Sequence, residues 1–591
     1  INSTPRIQSW IPLNDYYDRY NDSTYHRYVN DLKADNTSKT TKLYTDRGMV
    51  YVGANDGMLH AIYLGKLEMI NDIDHPEKKA QLTDPDTSDG ISPGDEVWAF
   101  IPKNALPYLK YLKQTDYCHL YYVDASPYIF DASIGTTGCS EANYWDCTKT
   151  TDTWRTILIG SMRLGGACRD VSSSCTDCVK TPTSNVGYSS YFALDITDQN
   201  NPKLLWEFSS SDLGFSSTGP VVVRISPKTT GGSPDNTKNG RWFVVLASGP
   251  TGPIDTTTHE FKGKSDQNLK IFILDLKTGT LLRTIDTGIQ YAFGGSQFNT
   301  TIDLDKDYQD DVMYLTYVKK VGSGSNASWT GGGIIRLATS GLNSKTSPSI
   351  DPDDWKWSKF IELSEGPVTS SVVYARDKKQ HILWLFFGSG RYFYKTDDAD
   401  GRRRIYGIKE PCYSSLTDNI NPTCTTTVSE SDLTDATTSP PTITQANSAS
   451  FKGWYVKLDC SATDTNSACA NNAPSGYSAE RVITTPLASP AGAIFFTTFS
   501  PTSDVCGYGG NSYIWAVDYR TGGQAPGTAL EGKALLQLST GEIKEVNLKT
   551  AFSERSGRRT VSFSGVPPQG QGLSVMVPPD PIRKFLFMKE K

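Results

Sequence analysis

The sequence predicts an all-β fold in which sheets repeat radially, a β-propeller. Three observations predict it. Short β-branched and aromatic runs recur along the 591 residues. Several of them end near a degenerate Asp-x-x-Thr-Gly turn, the mark of radial repetition. Glycine (50), proline (32) and tyrosine (31) are plentiful, as many strands joined by turns require.

Taken in chain order, residues 1–45 read as a lead-in segment that packs on the propeller, and residues 46–591 as the propeller itself. Ile1-Asn2-Ser3-Thr4-Pro5 lacks an initiator Met and reads as an internal cut. Within the lead-in, Tyr16, Tyr17, Tyr20, Tyr25, Tyr28 and Val29 recur near helical spacing. One or two short helices capped near Asp22-Ser23 fit this spacing, and an irregular aromatic segment over the first blade fits it equally. Val50–Gly53, Asn55-Asp56-Gly57 and Met58–Ile62 then make a hairpin with a tight turn.

The repeated phrase is clearest at Ile271–Gly279 and Ile514–Gly522, with a third copy from Tyr191 through Asp195 to Asp198. Trp242–Gly249, Ile334–Leu337, Ile382–Gly390 and Ala493–Thr498 supply further strands. Seven blades would each have about twice the 40–45 residues of a compact blade. The excess falls in Asp84–Pro93, Thr229–Asn239 and Ser429–Ser450, which are rich in small and polar residues and read as long surface loops.

Composition excludes some classes. The formal charge is −6, and no basic cluster stands out beyond Arg402-Arg403-Arg404, so no nucleic-acid partner is expected. No apolar run approaches the roughly 20 residues that span a bilayer, so no transmembrane segment is expected. Of the eleven cysteines, Cys139 with Cys147, Cys412 with Cys424, and Cys460 with Cys469 are close in sequence within loop-like surroundings. Such pairs read as loop-stapling disulfides made in an oxidising compartment. Cys168, Cys175 and Cys178 form a trio, and Cys118 and Cys506 stand apart; the odd count leaves one thiol free or paired to another chain. Cys175-Thr-Asp-Cys178 has a zinc-like spacing, but no second ligand pair follows it.

The densest chemistry lies at Asp303-Leu304-Asp305-Lys306-Asp307-Tyr308-Gln309-Asp310-Asp311, with carboxylates at positions 1, 3, 5 and 9. Carboxylates so spaced wrap a hard cation in oxygen; without one they repel. The expected ligands to Ca²⁺ are the side chains of Asp303, Asp305, Asp307 and Asp311 and the backbone carbonyl of Gln309. An acidic turn that binds nothing is the alternative. An EF-hand would have Gly at position 6 and Glu at position 12, where this chain has Tyr308 and Tyr314. The β-branched run from Val312 to Val318 makes this a loop between strands, with no helix pair to open.

The run Asp46–Ile62 resembles the signature of the PilC/PilY family of type IV pilus proteins. The resemblance continues, in order, through Val97–Pro102, His119–Pro127, Tyr191–Thr197, Ala247–Pro250, the acidic loop, Trp384–Gly390 and Cys506–Gly510. It implies a modified seven-bladed β-propeller with a Ca²⁺ site in the acidic loop, where occupancy is linked to pilus extension and retraction. It also implies an exported protein at the pilus tip that supports biogenesis, adhesion and twitching motility. The implied partners are type IV pilins or minor pilins, a host or abiotic surface, and a separate N-terminal fragment or chain. The longer members also carry a von Willebrand A-like domain, which is not expected in this chain, and no Arg-Gly-Asp occurs.

Two catalytic readings compete. The strand ends also resemble those of propeller dehydrogenases that use pyrroloquinoline quinone, which need Ca²⁺ in the central funnel and usually a vicinal cysteine pair. No two cysteines are adjacent here. For a hydrolase, His60 lies near Asp56 and His119 near Asp124, but no His-Glu-x-x-His motif occurs. No catalytic residue is therefore assigned.

Overall fold

The computed structural model describes residues 3–30, 44–70, 80–167, 186–458 and 476–576, except for short stretches at 85–86, 88–89, 116, 118, 137, 255–259, 299, 325–326, 399–401, 503, 505–507, 553–556 and 569–571. The protein is a seven-bladed β-propeller with a few short helices. The second blade shows the pattern: Tyr128–Ser133, Trp154–Ser161, Tyr191–Asp195 and Lys203–Phe208 pair antiparallel in sequence order. The seventh is a three-stranded sheet of Lys533–Gln537, Ile543–Asn547 and Leu573–Met576.

Alternation along each strand builds the cores between blades. Successive side chains of a strand point to opposite faces. In Arg241–Ala247 of the third blade, Trp242, Val244 and Leu246 pack with Trp154 and Tyr191 of the second. Phe243, Val245 and Ala247 pack with Met313 and Leu315 of the fourth. Both faces are covered, so the central strands read as continuous apolar runs rather than alternating ones.

The repeated turn is where blades lock together. In the third blade Asp275 Oδ1 accepts the backbone N–H of Lys277 and Thr278 at 3.0 and 3.2 Å. Gly279 closes the turn at φ +68°, and a Cβ there would stand 2.4 Å from the Trp206 ring of the preceding blade. Trp206 Nε1 donates to Leu276 O at 2.7 Å. The sixth blade repeats this arrangement with Asp518, Gly522 (φ +65°) and Trp454, whose Nε1 donates to Tyr519 O at 3.0 Å. At the second blade Trp98 Nε1 reaches Gln199 O at 2.8 Å, just past the Asp195 turn. The phrase visible in the sequence is thus a tryptophan receptor, with the tryptophan supplied by the blade before.

The lead-in contributes directly to the sheet and to the site. Arg6–Ser9 pairs with Gly48–Gly53 in the first blade. Helices Tyr16–Tyr20 and Ser23–Asn30 follow. Asp22 Oδ1 accepts the N–H groups of Thr24 and Tyr25 at 3.0 and 3.1 Å, which satisfies N–H groups at the start of the second helix.

Ser429–Ser450 differs from the surface loop expected. Val428–Ser429 adds a parallel strand to the fourth blade, Thr434–Asp435 adds one to the fifth, and Ile443–Ala446 is helical. Few apolar residues were needed: Val428, Leu433, Ala436 and Ala446 are all buried and anchor the strap.

Candidate metal centre

The acidic loop joins Thr301–Ile302 to the long strand Val312–Val321 of the fourth blade. Carboxylate oxygens of Asp303, Asp305 and Asp311 lie within 4.8 Å of one another. Asp303 and Asp311 are buried and Asp305 is exposed. The loop's own backbone turns these groups inward. Asp303 accepts the N–H groups of Lys306 and Tyr308 at 2.7 and 3.1 Å, and Asp311 Oδ2 accepts that of Leu304 at 2.7 Å. Asp307 stands outside the cluster, its two oxygens taking the backbone and side-chain N–H of Gln309 at 2.9 and 2.8 Å. Gln309 is buried, and its side-chain Oε1 has no hydrogen-bond partner.

Tyr308, in the position that EF-hands give to glycine, adopts φ +73°. A left-handed conformation is costly for an aromatic residue and persists only where the surroundings enforce it. Here Tyr20 stacks on the ring at 4.1 Å, and the Arg224 guanidinium lies 3.9 Å from its centroid. The Tyr308 hydroxyl donates to Asp22 Oδ2 at 3.0 Å, and Lys149 Nζ meets the same oxygen at 2.5 Å. The lead-in helices therefore clamp the loop from one side. Arg19 donates to the Asp303 carbonyl at 2.9 Å, and the Tyr20 hydroxyl bonds the Asp303 carboxylate.

A second clamp comes from the fifth blade. Asn419 Nδ2 donates to Asp311 Oδ1 at 2.9 Å and to Asp305 Oδ2 at 3.2 Å. Arg376 Nη1 donates to Leu304 O at 2.8 Å. Nothing in the sequence flagged Asn419, Arg19 or Tyr20 as part of this site; they lie 108 to 284 residues from their partners.

Electrostatically the loop gathers carboxyl groups that burial and one another's charge disfavour as anions. Burial pushes the Asp303 carboxyl above its usual value, raises Asp307 to about 6 and Asp310 to about 7, and drives Asp311 well up. The like charges of neighbouring aspartates add to each shift. The residues fit a hard divalent ion: the donors are all oxygen, three converge, and in the same loop the buried Gln309 side-chain oxygen stands unpartnered.

The other sequence candidates sit in polar contacts of the first blade and in two disulfides. His60 lies between Asp56 (Nε2 to Oδ2, 2.9 Å) and Glu96 (Nδ1 to Oε1, 3.2 Å) at the mouth of the first hairpin. His119 meets Asn55 at 3.1 Å, while buried Asp124 takes Arg163 at 2.7 Å instead. Cys139–Cys147 and Cys412–Cys424 are disulfides with Cα separations of 5.8 and 5.5 Å. The expected Cys460–Cys469 pair, the cysteine trio, Cys118 and Cys506 lie outside the described residues. A cavity of about 640 Å³, walled by Arg163, Phe293, Thr369, Tyr392 and Leu538 among others, draws on several blades but on none of the loop's aspartates. Among the described residues, no helix is long and apolar enough to cross a membrane.

No family model matches the chain. Among curated proteins, it is 23% identical over 511 residues to a type IV pilus biogenesis factor PilY1 homolog of Xylella fastidiosa, a match covering 83% of this chain and 30% of that protein. It is 25% identical over 524 residues to the type IV pilus biogenesis factor PilY1 of Pseudomonas aeruginosa, covering 82% of this chain and 35% of that one. This chain is similar in sequence to the PilY1 factors over most of its own length. The crystal structure of the Pseudomonas aeruginosa PilY1 C-terminal domain superposes with a TM-score of 0.52 at 20% identity, covering 88% of each chain, and shares the fold. The chain spans only about a third of the length of the PilY1 relatives it matches.

Proposed function

We propose that this chain is the calcium-binding propeller of a type IV pilus biogenesis factor, and that it works by contact rather than catalysis. The observation that carries the reading is the convergence of Asp303, Asp305 and Asp311 in a loop clamped by two distant parts of the chain. Asp307 and the Gln309 carbonyl complete the expected ligand set once a cation draws the loop in. The cation offsets the repulsion of the buried carboxylates and orders the loop without swinging helices apart. The proposed partners are pilins or minor pilins, a host or abiotic surface, and a separate N-terminal fragment or chain. The place of action is outside the cell at the pilus, reached through the periplasm. A pyrroloquinoline quinone enzyme is disfavoured because the aspartates line no part of the 640 Å³ cavity.

Calorimetry on chelator-stripped protein tests the metal: one Ca²⁺ site is expected, and Asp305→Ala or Asp311→Ala should lose it. Equal binding by all three proteins rejects the site. Cells carrying Asp305→Ala in the full-length protein should show altered pilus extension or twitching while the protein is still exported and folded. Unchanged pili and motility reject the functional role even where calcium binds.

A further inference from the structure

The hairpin of Tyr413–Ser414 and Asn419–Ile420 is inserted after the third strand of the fifth blade, more than a hundred residues past the acidic loop. The Cys412–Cys424 disulfide closes its base. From its second strand Asn419 donates to two of the three clustered carboxylates at once. A neutral amide that bridges two like charges holds them at ligand distance, and no other side chain among the described contacts touches both Asp305 and Asp311.

The hairpin is itself held in place. Arg376 ties Asp418 (2.5 Å) to the carbonyl of Leu304 inside the acidic loop (2.8 Å). Tyr413 donates to Asp418 at 2.9 Å, and His381 approaches it at 3.2 Å. At the base, Cys412 N donates to buried Glu410 at 2.8 Å, and Asn421 N donates to Cys412 O at 2.8 Å. The far end of the hairpin is free: Leu416 at its tip is 95% exposed. The position of Asn419 is thus set by a short ladder of two residue pairs, by the contacts of Asp418 next to it, and by the disulfide. A two-stranded ladder of that length is not stable alone in water.

We propose that this disulfide-closed hairpin is the second half of the cation site, with Asn419 as its positioning residue, and that cation occupancy and the Cys412–Cys424 bond are coupled. The inference rests on the calcium reading above. Opening the bridge releases the base of the hairpin, Asn419 leaves the carboxylates, and the site loses its preset spacing. Groups that orient metal ligands are typically worth 10-fold or more in affinity. By linkage the effect runs both ways: a bound cation holds the hairpin in place and shields the disulfide from reduction. Reduction by a dithiol such as dithiothreitol delivers two electrons and two protons, leaving two thiols on the protein and a cyclic disulfide on the reagent. Calcium would slow this at Cys412–Cys424 far more than at Cys139–Cys147, which among the described contacts is linked to the acidic loop indirectly, through Asn239 and Arg224.

The test is calcium calorimetry on four oxidised proteins: wild type, Asn419→Ala, Cys412→Ser/Cys424→Ser, and Cys139→Ser/Cys147→Ser as the control. The expected result is about tenfold weaker binding for the first two variants and wild-type affinity for the control. Thermal melts in chelator check that each is folded. Dithiothreitol reduction of wild type with and without Ca²⁺, followed by alkylation and peptide mapping, needs no variant and so stands if a variant fails to fold. Protection by Ca²⁺ far stronger at Cys412 and Cys424 than at Cys139 and Cys147 is expected. Binding within twofold of wild type in both variants, with no protection, overturns the coupling while leaving the calcium site standing. A wild-type chain that binds no calcium overturns both.

Discussion

Replacing Tyr308 by glycine sets two effects against each other. Tyr308 is 5% exposed and holds φ +73°. Glycine relieves the left-handed conformation, a gain of about 1–2 kcal/mol. It also removes a buried aromatic side chain, and truncation of that kind costs roughly 3–5 kcal/mol. The lost contacts are specific: the stack on Tyr20 at 4.1 Å, the guanidinium of Arg224 at 3.9 Å and the hydroxyl bond to Asp22 at 3.0 Å. Packing wins, and Tyr308→Gly is expected to destabilise the metal-free protein by about 1–4 kcal/mol, the difference of those two estimates. Tyr308→Phe keeps the ring and the strain and loses only the bond to a charged acceptor, an expected cost of about 1.5–3 kcal/mol. Urea unfolding followed by tryptophan fluorescence, in chelator, reads both. A Tyr308→Gly protein as stable as wild type would refute the reasoning, because strain would then outweigh the clamp.

Three further outcomes follow from the same contacts. Arg336 and Glu410 form a buried ion pair that also takes the Tyr314 hydroxyl at 2.6 Å; Arg336→Met should cost roughly 3–5 kcal/mol by stranding the carboxylate, and adding Glu410→Gln should recover part of it in the same urea assay. For Asp22, burial pushes the carboxyl up, but Lys149 and the N–H groups at the helix start outweigh burial and hold it below its ordinary value, while burial and Arg224 bring Lys149 down to about 8, so the pair is charged at neutral pH. A depressed carboxyl contributes stability that is present above its unfolded value of 3.8 and lost as pH falls through the folded one, so the stability gap between wild type and Asp22→Asn should be full at pH 6 and close below pH 4 in thermal melts. Reduction of Cys139–Cys147, which closes a loop of about 10 residues worth roughly 2–3 kcal/mol, should expose that loop to protease while the blades stay folded; nicking spread through the blades would contradict a merely local staple.

What the sequence disclosed and what it withheld divide along the range of the interactions. The blades were legible because a strand buried on both faces is a run of apolar residues, and Trp242–Ala247 or Ile382–Gly388 can be little else. The Asp-x-x-Thr-Gly turns were legible because their hydrogen bonds close within four residues, as Asp275 shows. Their function was not, because the tryptophan that each turn receives comes from another blade, 70 residues away for Trp206. The acidic loop divides in the same way. Its aspartates stood out because ligand spacing is a local property. The clamps that hold the loop come from residues 19, 20 and 22 on one side and 376 and 419 on the other, ordinary polar residues until the propeller closes. Tyr308 marks the junction of the two ranges. In the sequence it is a departure from the glycine that an EF-hand would place there. In the fold it is the residue through which the lead-in grips the loop, so strain that a glycine would have avoided is retained where the loop must sense its neighbours. A loop tuned for cation affinity alone would gain from glycine at this position; one that must pass its occupancy to a neighbouring segment needs the aromatic ring.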